Sequence, residues 1–416
     1  MQSGRELRRF LPTLLLLIVA VLINYADRGN LALAAPILQV EWHLSASQLG
    51  ILLSCFFWSY MVLQIPVGWL VDRFNVNIVL ALGFLTWSLS TAASSFASGF
   101  GVMLGMRLLL GVGESVMFPA SSKICSQYLP ESGRGLANAL IIAAIRWGTA
   151  LGTFGGGLLM AHWGWRRTFM VIGVAGLLWL PAWMIWSPKR IAIPSRANRP
   201  RVRVTEILRL RDFWGAAGGH FCANYLLYFL MSWLPYYLVH ERHLSMQFMA
   251  ETAALLYALD SVSAITTGWI TDRRIKAGGE ARSVRKWSMA IGFCIASAAL
   301  FAFAAADTAT YLPCLVAVSI GSGIASSGPY AMAQTLAGEH HAGRWVGLQN
   351  CFANIAGVGG PALSGFLLDR TGSFAAPLTL AASIALMGAV CWIYGIRPAQ
   401  VVEGLPAHAE ASSATI

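Results

Sequence analysis

Twelve stretches of this chain are apolar over about 20 residues each, the length that crosses the hydrocarbon core of a bilayer. They lie near 11–36, 48–71, 76–97, 100–124, 136–161, 167–187, 213–239, 249–271, 287–306, 309–333, 345–368 and 374–396. A backbone in lipid finds no water to bond, so a spanning segment must satisfy its own N–H and C=O groups, and runs of this length do so as helices. Composition agrees: 57% of the 416 residues are hydrophobic and 11% charged, with a mean hydropathy of +0.62. A soluble enzyme, a nucleic-acid module and a disordered regulator are excluded. The net charge of +11 would suggest a nucleic-acid partner in a soluble protein. Here cationic cytoplasmic loops account for it, the bilayer is the partner, and no nucleic acid is expected.

The first run, Leu11–Ile23, follows Arg5, Arg8 and Arg9, and Ala32-Leu33-Ala34 mimics a signal-peptidase site. The charged pair Asp27-Arg28 interrupts that region and eleven further spans follow, so a retained first helix is expected. The seven Cys are scattered singly, mostly within apolar runs, with neither disulfide nor metal-ligand spacing, and are read as packing residues.

Charge placement predicts the orientation. With the N-terminus inside, four of the 29 Lys+Arg fall outside (Arg166, Arg167, Arg242, Arg370) and three within spans (Arg28, Arg107, Arg146). The rest lie on the cytoplasmic side, as the positive-inside rule requires; Arg166 and Arg167 violate it locally. Both termini are expected in the cytoplasm of a cell carrying the protein in its membrane, the inner membrane of a bacterium. The polar stretch around Ser187–Asp212 is rich in Arg and broken by Pro188, Pro194 and Pro200. It divides the chain into an N-terminal six-helix bundle (1–187), a basic linker (188–212), a C-terminal bundle (213–396) and a tail (397–416). The linker could bind anionic headgroups, but an orientation signal is the simpler reading.

The halves repeat. Gly68-Trp-Leu-Val-Asp72-Arg73 ends span two and Gly268-Trp-Ile-Thr-Asp272-Arg273 ends span eight. Gly133-Arg134 corresponds to Gly343-Arg344, and Gly157…Gly164 to Gly365…Gly372, at offsets of 200, 210 and 208. Two repeats of the same topology imply an all-α membrane fold of two pseudo-symmetric six-helix bundles, with a site between them near the midplane.

On these residues the chain resembles the major facilitator superfamily over essentially its whole length. Gly68-x-x-x-Asp72-Arg73 is similar to that superfamily's loop motif, although Phe74-Asn75-Val76-Asn77 lacks the usual glycine and basic residues. Asp72, Arg73, Asp272 and Arg273 are the gating candidates, since an acid there can cap a helix start and meet basic neighbours. The closer resemblance is to the anion:cation symporters, which include bacterial galactonate, glucarate and hexuronate transporters. Four segments carry it: Asn24-Tyr25-Ala26-Asp27-Arg28, Tyr60-x-x-x-Gln64-Ile65-Pro66-x-Gly68, Arg107-x-x-x-Gly111-x-Gly113-Glu114-x-x-x-Phe118-Pro119, and Trp233-Leu234-Pro235-x-Tyr237. The resemblance implies proton-driven import of an organic anion, with Asp27 and Glu114 carrying the proton and Arg28 and Arg107 holding the anion or its proton partners.

The residues support this independently. An ionisable group at mid-membrane costs at least about 2.5–3.5 kcal/mol, so each needs a reason. The spans hold Asp27, Glu114, Asp260, Arg28, Arg107 and Arg146, and five of these lie in the N-terminal half. Three arginines there face two acids, and protonating both acids would make that surplus larger. A cavity that grows more cationic on taking up protons makes anion and proton favour each other's binding. Internal salt bridges fixing the packing are the competing reading, weakened by the odd arginine. Arg107 and Glu114, seven residues apart, share nearly one face, about 10.5 Å apart along the axis. Gly111 and Gly113 between them let a helix or ligand approach. Asp27 and Arg28 point about 100° apart, so each is expected to meet span four; Arg28 with Glu114 and Asp27 with Arg107 is one arrangement. Arginine suits a carboxylate because its planar fork gives two parallel hydrogen bonds.

Asn24, Tyr25 and Tyr60 can line the same wall. The C-terminal half offers neutral groups: His220, Asn224, Tyr225, Tyr228 and Ser232 on span seven, Gln349, Asn350 and Asn354 on span eleven, and Ser326, Ser327 and Gln334 near span ten. Of these, Asn224, Tyr228, Asn350 and Asn354 are substrate-site candidates, suited to a polyhydroxylated acid, although the same groups could bind helix to helix. Where sugar-acid relatives have an amide in span five, this chain has Ile145-Arg146-Trp147. Arg146 meets either the substrate, which would then carry a second anionic group, or Asp260; substrate contact is the favoured expectation. Trp147 suits a sugar ring face or an aromatic acid. The alternatives are an anion exchanger or a proton-coupled exporter and, last, a non-transporting sensor. No Ser/His/Asp, paired-Asp or HExxH-type pattern occurs in the spans, so no catalytic residue, metal or cofactor is expected, and the protein is expected to be a monomer.

Overall fold

The computed structural model describes residues 2–44, 46–187, 203–243, 246–307 and 310–397. The linker segment 188–202 and the tail 398–416 lie outside them. All regular structure among the described residues is helical. The first half contains α1 (Gln2–Glu41), α2 (Ala46–Arg73), α3 (Val76–Ser94), α4 (Phe100–Glu114), α5 (Met117–Tyr128), α6 (Glu131–Leu177) and α7 (Trp179–Trp186). After the short α8 (Val204–Leu208) come α9 (Arg211–His240), α10 (Met246–Lys276), α11 (Ala281–Ala304), α12 (Tyr311–Ser326), α13 (Pro329–Thr371) and α14 (Ala375–Gly395).

Nine stretches of the described residues are long and apolar enough to cross a membrane. Two of them, 131–186 and 311–368, run to 56 and 58 residues, more than twice what one crossing of about 30 Å requires. Each is broken by a glycine with positive φ, Gly164 at 74° and Gly338 at 65°, a backbone region that side chains other than glycine rarely enter. Two crossings in each of these stretches, together with the 30-residue α9, agree with the twelve expected spans. The turn lacking the motif glycine is made by Asn75, whose side chain caps α3 by accepting from the Asn77 N–H. Glu280 caps α11 at the equivalent turn of the second half.

The repeat runs further than the motifs indicate. Glu41-Trp-His43-Leu-Ser45 and Glu241-Arg-His243-Leu-Ser245 stand 200 residues apart, and both histidines have positive φ, 51° and 54°. In one register the structure corrects the sequence reading. Asp272 accepts from the N–H groups of Gly135 and Leu136, and Asp72 from those of Gly343 and Arg344. Gly135, not Gly133, is therefore the counterpart of Gly343, at the same offset as the Gly157 and Gly365 pair.

Packing distinguishes the two ends of the molecule. At the end carrying Asp72 and Asp272, one apolar cluster draws on both halves, with Val71, Ile124 and Leu129 beside Phe213, Met289 and Trp345. At the opposite end the clusters stay apart, one built only from residues 31–169 and the other only from 221–384. Among the described residues, apolar packing is thus shared between the halves at one end and kept within each half at the other, with a cavity between them.

Candidate functional site

The cavity is lined from both halves. Tyr25, Tyr60 and Arg146 reach it from α1, α2 and α6; Asn224, Tyr228, Asn350 and Asn354 reach it from α9 and α13. Seven expected substrate-site residues therefore share one wall system. Asn24, Arg28 and Arg107 do not line it.

Arg28 lies behind two of the lining tyrosines. Its Nε donates to Glu114 Oε2 at 2.8 Å, and its guanidinium lies 4.4 Å from the Tyr25 ring centre, 4.6 Å from Tyr60 and 4.9 Å from Phe56. Cation–π attraction in a dry setting is worth about 2 kcal/mol or more. The proposed partnership of Arg28 with Glu114 is thus present. That of Asp27 with Arg107 is not: Asp27 Oδ2 accepts from Thr91 Oγ1 at 2.6 Å and Oδ1 from Asn30 Nδ2 at 2.9 Å. Asp27 faces α3, whose hydroxyl supplies what a cation was expected to supply. Arg107 is buried 5.4 Å from the Phe56 ring and makes no ion pair with a described residue. Around this group, Asn24 Nδ2 and Oδ1, Arg28 Nη2, Arg107 Nε and Glu114 Oε1 find no hydrogen-bond partner among the described residues. Each such sealed atom costs about 1–3 kcal/mol, and five of them cluster around one ion pair. Gly111 and Gly113 serve helix contact rather than a ligand: a Cβ at Gly111 would meet Phe56 O at 2.6 Å, and one at Gly113 would meet Trp87 N at 2.5 Å.

Arg146 meets Asp260, the second of its two expected partners. Its Nη2 lies 2.9 Å from Asp260 Oδ1, joining α6 of one half to α10 of the other. The repeat indicates why the helices meet: at the offset of 200 Asp260 is the counterpart of Tyr60 and at 208 Arg146 that of Asn354, so α10 on α6 repeats α2 on α13, where Tyr60 meets Asn350, one turn before Asn354. Arg146 also lines the main cavity, and Asp260 lines a smaller one beside it. Trp147 is 52% exposed on the outer surface of α6, away from the cavity, so it does not receive a sugar ring.

The C-terminal wall is a chain of neutral bonds. Tyr228 donates to Asn354 Oδ1 at 3.0 Å, Asn354 donates to Asn350 Oδ1 at 3.1 Å, and Tyr330 donates to the same oxygen at 3.1 Å. Asn350 Nδ2 reaches Tyr60 Oη at 3.4 Å, linking the halves. Gln334 belongs elsewhere: it bonds Ser122 and Asn138 across the halves.

At the fused end, the gating candidates divide by type. Asp72 accepts from Gly343 N–H at 3.2 Å and Arg344 N–H at 2.8 Å, and Lys123 Nζ stands 3.1 Å away. Asp272 accepts from Gly135 and Leu136 at 2.9 and 2.8 Å. Each acid therefore sits against the first turns of a helical segment of the other half, α6 and the part of α13 that follows its break at Gly338, where the helix dipole favours a negative charge. Arg73 and Arg273 instead stack on Trp69 and Trp269 of their own helices. Close approach matters here: a Cβ at Gly68 would stand 2.7 Å from Gly343 O. Sequence reasoning missed Lys123, which also donates to Glu339 O and His340 O. It likewise missed Glu131, bonded to Arg285 across the seam at 2.6 Å. A lysine just past Pro119 was the available signal for the first.

At the separated end, Arg166 pairs with Glu41 at 2.6 Å, and Trp165 Nε1 donates to the other carboxylate oxygen at 2.8 Å. The local excess of positive charge there is partly neutralised on the spot.

Comparison with known proteins adds the relatives. A family model described as Major Facilitator Superfamily matches residues 17–358 and 280–415. The hexuronate transporter of Bacillus subtilis (strain 168) is 30% identical over 420 residues, 97% of this chain and 98% of that protein. The probable galactarate/D-glucarate transporter GarP of Escherichia coli (strain K12) is 28% identical over 414 residues, 92% of this chain and 93% of that protein. The crystal structure of FucP, a major facilitator superfamily transporter in the outward conformation, matches with a TM-score of 0.74 at 17% identity, covering 94% of this chain and 100% of that one.

Proposed function

Because the chain belongs to the Major Facilitator Superfamily, a family of multi-pass membrane transporters and not enzymes, we propose that it imports a sugar acid or related carboxylate together with protons. The observation that carries this reading is the cavity itself. One cation, Arg146, and a wall of tyrosine hydroxyls and asparagine amides face a common space, while the Arg28–Glu114 pair stands behind Tyr25 and Tyr60. Hydroxyls and amides suit a polyol chain, and arginines suit its carboxylate. The names of the relatives, a hexuronate transporter and a probable galactarate/D-glucarate transporter, point the same way.

In this mechanism Glu114 and Asp27 are the proton carriers. While ionised, Glu114 occupies Arg28. A proton on Glu114 removes its charge, and the Arg28 and Arg107 guanidinium groups are then left to attract an anion into the cavity. Substrate binding and proton binding help each other, as co-transport requires. Asp72 and Asp272 act as twin latches that close one end while the other is open; the basic loops which that end carries support a cytoplasmic place for it and for both termini. The halves 1–187 and 213–396 rock as units about the central site, joined by the basic segment 188–212, in a bacterial inner membrane and as a monomer. Tyr25, Tyr60, Asn224, Tyr228, Asn350 and Asn354 orient the solute, with Asn24 standing behind that wall beside the Arg28–Glu114 pair.

A second reading, the exchange of one anion for another, draws on the Arg146–Asp260 pair, which lets Arg146 act without a proton. The deciding experiment is uptake into proteoliposomes from a panel of sugar acids, dicarboxylates and aromatic acids, with and without an inward proton gradient. Import of a sugar acid that collapses with the gradient supports symport. Undiminished counterflow with no gradient-driven accumulation supports exchange, and no uptake of any acid removes both.

A further inference from the structure

We infer that His220 reads the substrate: a hydrogen-bond chain from Trp345 through Gln349 holds its imidazole in one neutral tautomer, with Nε2–H offered to a hydroxyl oxygen of the bound sugar acid. The inference rests on the sugar-acid reading above and adds a residue that the proposed mechanism does not use.

The chain starts at a group that can only donate. Trp345 Nε1–H donates to Gln349 Oε1 at 3.0 Å, which fixes the oxygen end of that amide because an indole nitrogen has no acceptor role. A second contact fixes the other end: Gln349 Nε2 lies 3.5 Å from the carbonyl oxygen of Pro329, which can only accept. Flipping the amide would set N–H against N–H on one side and oxygen against oxygen on the other. The remaining N–H of Gln349 points at His220 Nδ1 at 3.1 Å. Nδ1 must therefore accept, and the ring's proton resides on Nε2.

Trp345, Gln349 and His220 are all buried. His220 lines the cavity, edge-on to Tyr330 with ring centres 5.0 Å apart. Its Nε2 bonds no described residue and is not among the sealed polar atoms, so it is open to the cavity. Protonating Nδ1 as well would set its N–H against the Gln349 amide, so the chain specifies a neutral donor and not a proton carrier. The surroundings agree. The titratable groups sharing the cavity are Arg146 on α6, Tyr25 and Tyr60 on α1 and α2, Tyr228 on α9 itself and Tyr330 on α13, with no carboxylate among them. On α14, packed against the other side of α9, Cys391 meets Gly218. A neutral donor among hydroxyls and amides belongs to the hydroxylated stretch of a solute, while the carboxylate goes to the arginines. Trp345 and Gln349 are positioning residues that act through His220.

The test measures binding by purified protein in nanodiscs, by calorimetry, using D-glucarate and D-galacturonate from pH 5 to 8, the range in which an ordinary histidine titrates. His220→Ala should weaken whichever acid the wild type binds by about three- to tenfold, the worth of one neutral hydrogen bond. His220→Gln, which keeps an N–H near the Nε2 position, should recover most of that and leave the pH profile as in the wild type. Gln349→Glu presents a carboxylate that accepts from Nδ1–H, so the ring can carry a charge, and it should add a pH-dependent step that His220→Gln on the same background removes. Equal losses in His220→Ala and His220→Gln, with thermal stability unchanged, would show a packing role and overturn the inference. So would a wild-type pH step that disappears in His220→Gln, or a Gln349→Glu protein with the wild-type profile. A folded wild type that binds neither acid removes the sugar-acid reading itself, and this inference with it.

Discussion

Arg146 Nη2 and Asp260 Oδ1 stand 2.9 Å apart, one from each half, and both side chains are more than nine-tenths buried. The pair closes one wall of the central cavity while Arg146 remains part of its lining. Removing one member of such a pair leaves a buried charge alone, at a cost of about 3–5 kcal/mol, whereas removing both can be nearly neutral. Arg146→Gln and Asp260→Asn should each lower the unfolding temperature clearly, and the double variant should recover much of the loss. Additive losses in the double variant would mean that the two side chains do not depend on each other. If a substrate carboxylate takes the place of Asp260, Arg146→Gln should also shift preference from D-glucarate, with two carboxylates, toward D-galacturonate, with one. Competition uptake measures that ratio, and an unchanged ratio would leave Arg146 with a structural task only.

The latches give a second prediction. Asp72 and Asp272 each bond two backbone N–H groups of the opposite half. Asp72→Asn with Asp272→Asn keeps the shape and loses the charge-assisted strength, so the fused end should open more often. Ser122, which bonds Gln334 across the seam, provides a reporter. In a background without the native cysteines, Ser122→Cys should react faster with a thiol reagent once both latches are neutralised. Equal labelling rates would show that Glu131–Arg285 and the Gln334 contacts hold that end unaided.

How much of this was legible beforehand differs from residue to residue. The Asp72 and Asp272 pair was visible as a repeated motif, and the structure puts both in equivalent bonds, because a motif fixes local geometry. Arg28 finding Glu114 followed from the direction of two side chains on neighbouring helices. The same reasoning misplaced Asp27: the turn angle limits where a side chain points but does not reveal that α3 brings Thr91 there. Arg146 and Asp260 lie 114 residues apart, and no local pattern brings α6 against α10. Only the pseudo-symmetry does, since α10 lies on α6 as α2 lies on α13, where Tyr60 meets Asn350. That signal was present and stronger than the motifs indicated, for Asn24-Tyr25 recurs as Asn224-Tyr225 and the Glu-x-His-Leu-Ser turn recurs at the same offset of 200. Trp147 suggests a ring platform because aromatic character is visible in sequence and the lipid-facing side of a helix apolar all round is not.

The clasp at the separated end gives a pH prediction. Glu41 lies beyond the first span, and the Trp165 indole and the Arg166 guanidinium hold its carboxyl below the ordinary carboxylate range. A group with a depressed folded-state pKa adds stability that is present above its unfolded value and lost as pH falls through the folded one. The contribution of Glu41 should therefore be complete at neutral pH and vanish in acid below the usual range for glutamate. The pair is half-exposed, so the effect should stay below about 1 kcal/mol. Glu41→Gln should lower the unfolding temperature slightly at pH 7 and not at all in strong acid. A deficit that persists unchanged in acid would assign the contact to packing of Trp42 on Trp165 instead.

Glu114 and Asp27 are both buried acids, but their partners differ, and so should the consequences of neutralising them. Asp27 accepts from two neutral donors, Thr91 and Asn30, and pairs with no described cation, so Asp27→Asn releases no charge and should leave the fold and the binding of a sugar acid largely intact. Glu114 holds Arg28 among three aromatic rings. Glu114→Gln frees that cation permanently, in the charge state that a proton would otherwise produce. The anion should then bind at least as tightly as to the wild type, with a weaker dependence on pH, and its release should slow. Both variants should lose gradient-driven accumulation, since neither can carry the proton, yet only Glu114→Gln should show affinity decoupled from pH. Counterflow and accumulation measured on the same proteoliposomes separate the two functions, and binding titrations at pH 5.5 and 8 supply the third comparison. Wild-type accumulation in Glu114→Gln would remove it from the proton path, and weakened, still pH-dependent binding would mean that the carboxylate positions Arg28 for the substrate rather than competing for it.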